Sequence, residues 1–168
     1  INYDLNKYRA IFTSRPDRNL KLLIDIWERL ITSKNKKLEL LVTENNFNYN
    51  TKTIIKRKLT DQNSLINDMI SSRICLLPGH KAELFCLAAE EARELCLPIV
   101  TLGIGSLKER VIHEKTGFIA KNSKEFANYT IELFKDDFLW NTIRNNLFNL
   151  RGTKSWSIAS QNFLKQII

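Results

Sequence analysis

Apolar positions recur along the chain in two alternating rhythms. Short runs such as Tyr8-Arg9-Ala10-Ile11-Phe12, Leu38-Glu39-Leu40-Leu41-Val42, Ile74-Cys75-Leu76-Leu77 and Pro98-Ile99-Val100-Thr101 read as strands. The run from Ile74 to Leu77 is apolar throughout, as in a strand buried on both faces of a parallel sheet. Between these runs the spacing changes to three and four. Leu20, Leu23, Ile24, Trp27, Leu30 and Ile31 share one face of a helix that Asn19 or Asp17 caps and that runs to about Ser33. Asp61 is placed to cap a helix reaching Ser71, and Phe85 to Leu95 forms another. A short helix contains Glu109, and Ser123 caps one that runs to about Phe134. Two further helices follow over about 138–150 and 155–167, the second with Trp156, Ala159, Phe163 and Ile167 on one face. Residues 43–52 are rich in asparagine and read as a loop, Thr53 to Leu59 fits a short helix or a strand, and Thr116-Gly117-Phe118-Ile119 makes a turn and a last strand.

Strands alternating with helices predict an α/β fold, a Rossmann-like three-layer arrangement of a mostly parallel sheet with helices on both faces. No internal repeat or low-complexity linker divides the chain, so residues 1–168 are expected to form one domain, with the helices of 138–168 packing on it or extending from it. The composition, 43% hydrophobic and 26% charged, is that of a globular protein. No apolar run approaches the roughly 20 residues a membrane-spanning helix needs, and no basic-then-apolar leader opens the sequence. The first residue is Ile1, which suits a piece of something longer. Cys75, Cys86 and Cys96, spaced by 11 and 10, fit neither a disulfide framework nor a zinc site, and read as buried thiols.

The net charge of +8 asks for a partner. Nucleic acid and an anionic membrane surface both attract such a chain, and a lysine-rich solvated surface explains it equally well.

The candidate chemistry lies where strands end. The strand closing at Pro78-Gly79 is followed by His80, by Glu83 near a helix start, and by Glu91 eight residues on, inside that helix. A helix N-terminus at the end of a buried strand favours anions, and two acids there could hold hydroxyls of a sugar or ribose. A glutamate near a helix start also simply complements the helix dipole, and of the neighbours Glu90 and Glu91 one is expected to face solvent. Arg15 and Arg18 follow the first strand, where arginine can reach a bound phosphate in bidentate geometry, or merely pair with Asp17. His80 lies in the same turn as Glu83 and could bond a ligand hydroxyl or phosphate; His113 reads as surface. Gly103 and Gly105 would let backbone amides approach a ligand, although turn formation explains them too. There is no Gly-rich dinucleotide fingerprint, Walker sequence, nucleophile triad or metal-ligand spacing.

Taken in order, these segments resemble the donor-binding, C-terminal half of a family 4 (group 1) retaining glycosyltransferase with the GT-B fold. Ser14-Arg15-Pro16-Asp17-Arg18-Asn19-Leu20 is similar to the family's Arg-x-x-Lys-Gly loop, with Arg18 at the lysine position. Arg73-Ile74-Cys75-Leu76-Leu77-Pro78 resembles the strand ending in Pro-Ser, and Glu83 through Glu91-Ala92 the Glu-x7-Glu motif. Leu97-Pro98-Ile99-Val100-Thr101 with Gly105 and Glu109 resembles the Pro-Val-Val-x-Thr, Gly-Gly, Glu segment, and Thr116-Gly117-Phe118-Ile119 the Thr-Gly-Phe-Leu turn. Trp156 near the last helix also suits the family.

The resemblance implies roles. Arg15 and Arg18 would neutralise the diphosphate of a UDP- or GDP-sugar, Glu83 would contact hydroxyls of the transferred sugar, and Glu91 would hold the ribose. The amides of Phe85, Cys86 and Leu87 would meet the phosphates, with His80 and Gly105 nearby. Cationic side chains and a helix dipole would stabilise the departing nucleotide, so neither cofactor nor metal is implied. The acceptor, a glycan or a lipid-linked one, would come through an N-terminal domain that this chain lacks. Because enclosure and orientation account for about 7–11 kcal/mol of such a barrier, the isolated chain is expected to bind nucleotide weakly and to transfer sugar poorly or not at all. A role in surface polysaccharide, lipopolysaccharide or glycolipid synthesis in the cytoplasm, at the inner face of the membrane, would suit the basic charge, and nucleic acid is not an expected partner. Three departures stand out: Arg18-Asn19 for Lys-Gly, Cys86 for the glycine beside Phe85, and Gly79 for serine after Pro78. The alternative reading is a non-catalytic Rossmann-like module whose basic surface takes nucleic acid or protein. A nucleotide-sugar epimerase on the same fold ranks below both, because it calls for more acids and histidines around the sugar than His80 alone.

Overall fold

The computed structural model describes residues 4–33, 35–43, 45–49, 51–58 and 61–152, together with 157, 160, 161, 164 and 165. Trp156 and most of the helix expected over 155–167 lie outside the described residues. In chain order the elements are β1 (Asn6–Phe12), α1 (Leu20–Ile26), β2 (Glu39–Thr43), β3 (Ile54–Arg57), α2 (Gln62–Ile70), β4 (Ser72–Gly79), α3 (Leu87–Glu94), β5 (Ile99–Ile104), α4 (Leu107–Arg110), β6 (Gly117–Ile119), α5 (Ser123–Lys135) and α6 (Asp137–Leu150). The strands form one parallel sheet in the order β3-β2-β1-β4-β5-β6. This is the strand order of a Rossmann fold.

Each β–helix–β crossover is right-handed in such a sheet, so the direction of travel decides the face. The chain moves outward from β1 to β2 through α1, and in the opposite direction from β3 through α2 to β4 and on through α3 to β5. That sends α1, with α5 packed beside it, to one face and α2 and α3 to the other. Every residue of β4 is buried, as the unbroken apolar run requires of a central strand. The core fills both layers: Trp27, Leu23 and Phe126 under α1 and α5, and Met69, Ala89 and Ala92 under α2 and α3.

Local chemistry decides where helices start and stop. Asp61 accepts from the Ser64 amide and caps α2 as expected. At α5 the cap is Asn122 rather than Ser123: its side chain accepts from the amides of Lys124 and Glu125, and Ser123 becomes the first helical residue. Helix α1 passes at Trp27 into a π turn, Trp27–Ile31, closed by the Thr32 amide on the Trp27 carbonyl at 2.9 Å; the wider turn keeps Trp27 and Ile31 both wholly buried. Thr53 to Leu59, ambiguous in sequence, contains β3, because its backbone pairs with β2 from Leu40–Ile54 to Thr43–Arg57. Among the described residues no helix is long and apolar enough to cross a membrane.

Candidate functional site

Strand β1 lies beside β4, and the chain leaves their carboxyl ends toward opposite sides of the sheet. The loops 13–19 and 80–86 therefore open a crevice between them, the place where open parallel sheets bind ligands. Both loops are tight turns: the Arg18 amide donates to the Arg15 carbonyl at 2.9 Å, and the Glu83 amide to the His80 carbonyl at 3.0 Å.

Side chains tie the two loops across the crevice. Asn19 Nδ2 donates to the Gly79 carbonyl oxygen. One guanidinium nitrogen of Arg18 lies 3.2 Å from His80 Nδ1, which also accepts from the Ala82 amide at 3.1 Å. The Ser14 hydroxyl makes a long contact of 3.5 Å to Glu83 Oε1. A third loop, between β5 and α4, backs the second. The Ser106 amide donates to the Glu83 carbonyl at 3.0 Å, and a Cβ on Gly105, whose φ is +69°, would stand 2.4 Å from the His80 carbonyl and 2.9 Å from that of Glu83. Gly105 thus serves the close approach of two main chains, behind Glu83.

The expected helix start is shifted. Cys86 holds a left-handed backbone, φ 57°, so α3 begins at Leu87 and leaves Glu83 in the loop, four residues before the helix. Asn19 likewise sits at φ 63° and makes no capping bond to α1, because its side chain is spent on Gly79. Asparagine tolerates this region and glycine prefers it, whereas cysteine does so at a cost of about 1–2 kcal/mol. The amides of Phe85, Cys86 and Leu87 precede or open α3 and find no acceptor among the described residues. They end in a cluster of exposed apolar side chains, Leu84, Phe85 and Leu87.

Charge is distributed unevenly. Arg15 is exposed and bonded twice by Asp17, at 3.0 and 2.6 Å, and its guanidinium holds the Asp17 carboxyl below the usual range. Arg18 forms no ion pair among the described residues. Cys86 is 4% exposed; burial first, then the neighbouring Glu83, pushes its thiol up to about 12, so it is protonated and inert at neutral pH. Burial also raises the Cys75 thiol.

The two adjacent acids of α3 part company. Glu90 bonds Arg93 at 2.6 Å and Arg110 at 3.1 Å. The Glu91 carboxylate makes no hydrogen bond or ion pair among the described residues; with Glu90 and Glu94 it lines a groove of about 300 Å³ between α2 and α3, beside Gln62, Leu65 and Leu95. Desolvation there raises its carboxyl above the ordinary value. The structure therefore gathers Arg18, His80, Glu83, Cys86 and Gly105 closely, leaves Arg15 exposed beside Asp17, and puts Glu91 in a groove between α2 and α3 that shares no lining residue with the crevice loops.

Sequence reasoning passed over two contributors. Ser14 adjoins Arg15, and only the β1–β4 pairing brings it to Glu83. Arg110 stacks its guanidinium 4.2 Å above the Phe85 ring and donates to the Phe85 carbonyl at 3.1 Å, bracing the start of α3. Its place after Glu109, in a segment matched to a known motif, was the available signal.

The family model for glycosyl transferases group 1 matches residues 14–149. A comparison with curated protein sequences finds no match. Among solved structures, the C-terminal domain of the group 1 glycosyl transferase LpcC from Francisella tularensis aligns with a TM-score of 0.74 at 19% identity, over 89% of this chain and 87% of that one. HepE from Anabaena, in complex with UDP and glucose, aligns at 0.77 and 16% identity, over 95% of this chain and 48% of its own. Sucrose-phosphate synthase from Thermosynechococcus elongatus aligns at 0.72 and 17% identity, over 99% and 46%. The chain thus spans about half the length of the last two. The matched segment opens at Ser14 in the first crevice loop and closes at Asn149 in α6, and the chain belongs to the group 1 glycosyl transferases.

Proposed function

We propose that this chain is the donor-binding domain of a retaining glycosyltransferase that moves a sugar from a UDP- or GDP-sugar to a glycan or lipid-linked acceptor. The observation that carries the reading is the convergence, at the point where strand order reverses, of an arginine without an ion pair, a glutamate, and three free amides at the start of α3. Arg18, with Arg15 behind it, would receive the diphosphate together with the amides of Phe85, Cys86 and Leu87. Glu83, held from both sides of the crevice, would accept hydrogen bonds from hydroxyls of the transferred sugar. Glu91, in the groove beside α3, would take the ribose. In this reading positive charge and aligned amides stabilise the nucleotide as it leaves, and the acceptor arrives on the same face of the donor.

The acceptor would be bound by a further domain closing over the exposed Leu84, Phe85 and Leu87. The net charge of +8 supports work beside an anionic membrane, in cytoplasmic assembly of surface polysaccharide or glycolipid. Calorimetric titration with UDP, GDP and their sugar conjugates tests the reading. Saturable binding of one nucleotide, weakened in Glu91→Ala, is the expected result. Absence of binding to all of them, with tight and steeply salt-dependent binding of nucleic acid, would instead favour a basic binding module.

A further inference from the structure

The Arg18–His80 contact has an electrostatic meaning that neither residue has alone. His80 Nδ1 faces two groups that can only donate: the Ala82 amide at 3.1 Å and an Arg18 guanidinium nitrogen at 3.2 Å. A protonated Nδ1 would oppose both. The ring must therefore carry its proton on Nε2, and Nδ1 presents a lone pair. The carboxylate nearest in sequence, Asp17, is taken up by Arg15 at 2.6 Å. Arg18 is left with a neutral acceptor.

The difference between a neutral and a charged acceptor matters at this spot. A carboxylate would orient the guanidinium and also cancel its charge, and much of its attraction for an anion would be lost. An imidazole nitrogen orients it and leaves the charge, with the remaining N–H groups free. The Ala82 amide fixes the ring from its own loop, and Gly105 and Ser106 brace that loop from behind. The aim of Arg18 is thus set from β4, across the crevice from the strand that carries it.

We infer that His80 is a positioning residue that holds Arg18 over the crevice, without an ion pair, for the diphosphate of the donor; this rests on the donor-site reading above. It does so through Nδ1 as a neutral acceptor, and not by contacting the donor through Nε2.

Two measurements test it. The first needs no ligand. Nitrogen-15 spectra of the imidazole at alkaline pH should show His80 as the Nε2–H tautomer, and the Arg18 Nη1 hydrogens, which face Nδ1, should be slowed in exchange in the wild type and lose that protection in His80→Ala. An Nδ1–H tautomer, or an Arg18 signal indifferent to His80→Ala, overturns the inference.

The second measurement is UDP and GDP affinity across substitutions at the same position. In His80→Asn, Oδ1 falls close to where Nδ1 was, a neutral acceptor, and the variant should stay within about threefold of the wild type. His80→Ala should lose about five- to tenfold, and His80→Asp, which holds Arg18 but neutralises it, at least as much. His80→Gln, whose amide extends toward the Nε2 position, should behave like His80→Ala. If Gln rescues and Asn does not, the ring acts through Nε2 on the ligand and the positioning role is wrong. If the wild type binds neither nucleotide, the donor-site reading fails, and the spectra still decide whether His80 holds Arg18.

Discussion

Asn19 and Cys86, on opposite loops of the crevice, both hold left-handed backbone, at φ 63° and 57°. Both stand where the motifs this chain resembles carry a glycine. Asn19 turns the departure to use, because its amide reaches the Gly79 carbonyl. Replacing it by alanine should cost about 2 kcal/mol, from the lost bond and the strained backbone together. Asn19→Gly should recover about half of that in urea unfolding. Equal losses for the two variants would mean that backbone conformation is not what position 19 selects.

Cys86 pays the strain without a comparable bond. Cys86→Gly relieves about 1 kcal/mol of backbone energy, but frees the unfolded chain and removes a buried thiol, so its stability should lie within about 1 kcal/mol of the wild type. Cys86→Val, β-branched at the same φ, should lose about 2 kcal/mol or more. Thermal denaturation of the pair, at matched pH, separates strain from simple loss of packing.

Arg15 and Arg18 should contribute unequally to nucleotide binding. Arg18 has a neutral partner, whereas Arg15 is held by Asp17 at 2.6 Å. Arg18→Ala should weaken nucleotide binding about tenfold or more, and Arg15→Ala considerably less. Asp17→Asn should strengthen it by about two- to fivefold, because the competing carboxylate is removed at the surface. Titration calorimetry at one ionic strength makes the comparison, and weaker binding in Asp17→Asn would contradict the picture.

Glu91 carries a stability signature that depends on pH. Its carboxyl is raised in the folded state by burial. Such a group contributes its full stability below the unfolded value near 4.3 and loses it as pH rises through the higher native value. Glu91→Gln removes the charge and keeps the shape. It should be more stable than the wild type at neutral pH, by less than about 1 kcal/mol because the side chain is only partly buried and screened, and no more stable at about pH 4. The same substitution should weaken nucleotide binding. A gain of equal size at both pH values, in urea titrations, would show that desolvation of the charge is not its origin.

Gly105→Ala should damage the site and spare the sheet. The new methyl would press on the His80 and Glu83 carbonyls, at 2.4 and 2.9 Å, in a backbone region that alanine resists. Far-ultraviolet dichroism should be unchanged, while nucleotide-sugar affinity falls by about tenfold or more as Glu83 is displaced. Unaltered affinity would mean that the loop 80–86 adapts and that its position is not set from behind.

Much of this was readable along the chain. The strand Ile74 to Leu77 stood out because burial on two faces leaves an unbroken apolar run, and α1 because one buried face leaves a three-four spacing. Helix starts were less legible. Phe85 and Ser123 both lie next to the true boundary, but the boundary is set by a backbone angle at Cys86 and by which side chain, Asn122 or Ser123, reaches the first amides. The status of Thr53 to Leu59 depended on a partner strand that no local pattern names.

Periodicity, the motif order and the positions of acids and arginines at strand ends were thus sufficient for the sheet and for the neighbourhood of the site, since these follow from which residues must be buried and which turns the chain permits. The pairings within the site were not. That Arg15 is bound to Asp17 while Arg18 faces an imidazole from the loop after β4, that Glu90 is held by two arginines while the Glu91 carboxylate bonds neither, and that Gly105 makes room for the main chain of His80 and Glu83 all depend on how the loops after β1, β4 and β5 and helix α3 meet in space. Charge and hydrogen bonding act over a few ångströms in space, and only the folded sheet sets which residues share that distance.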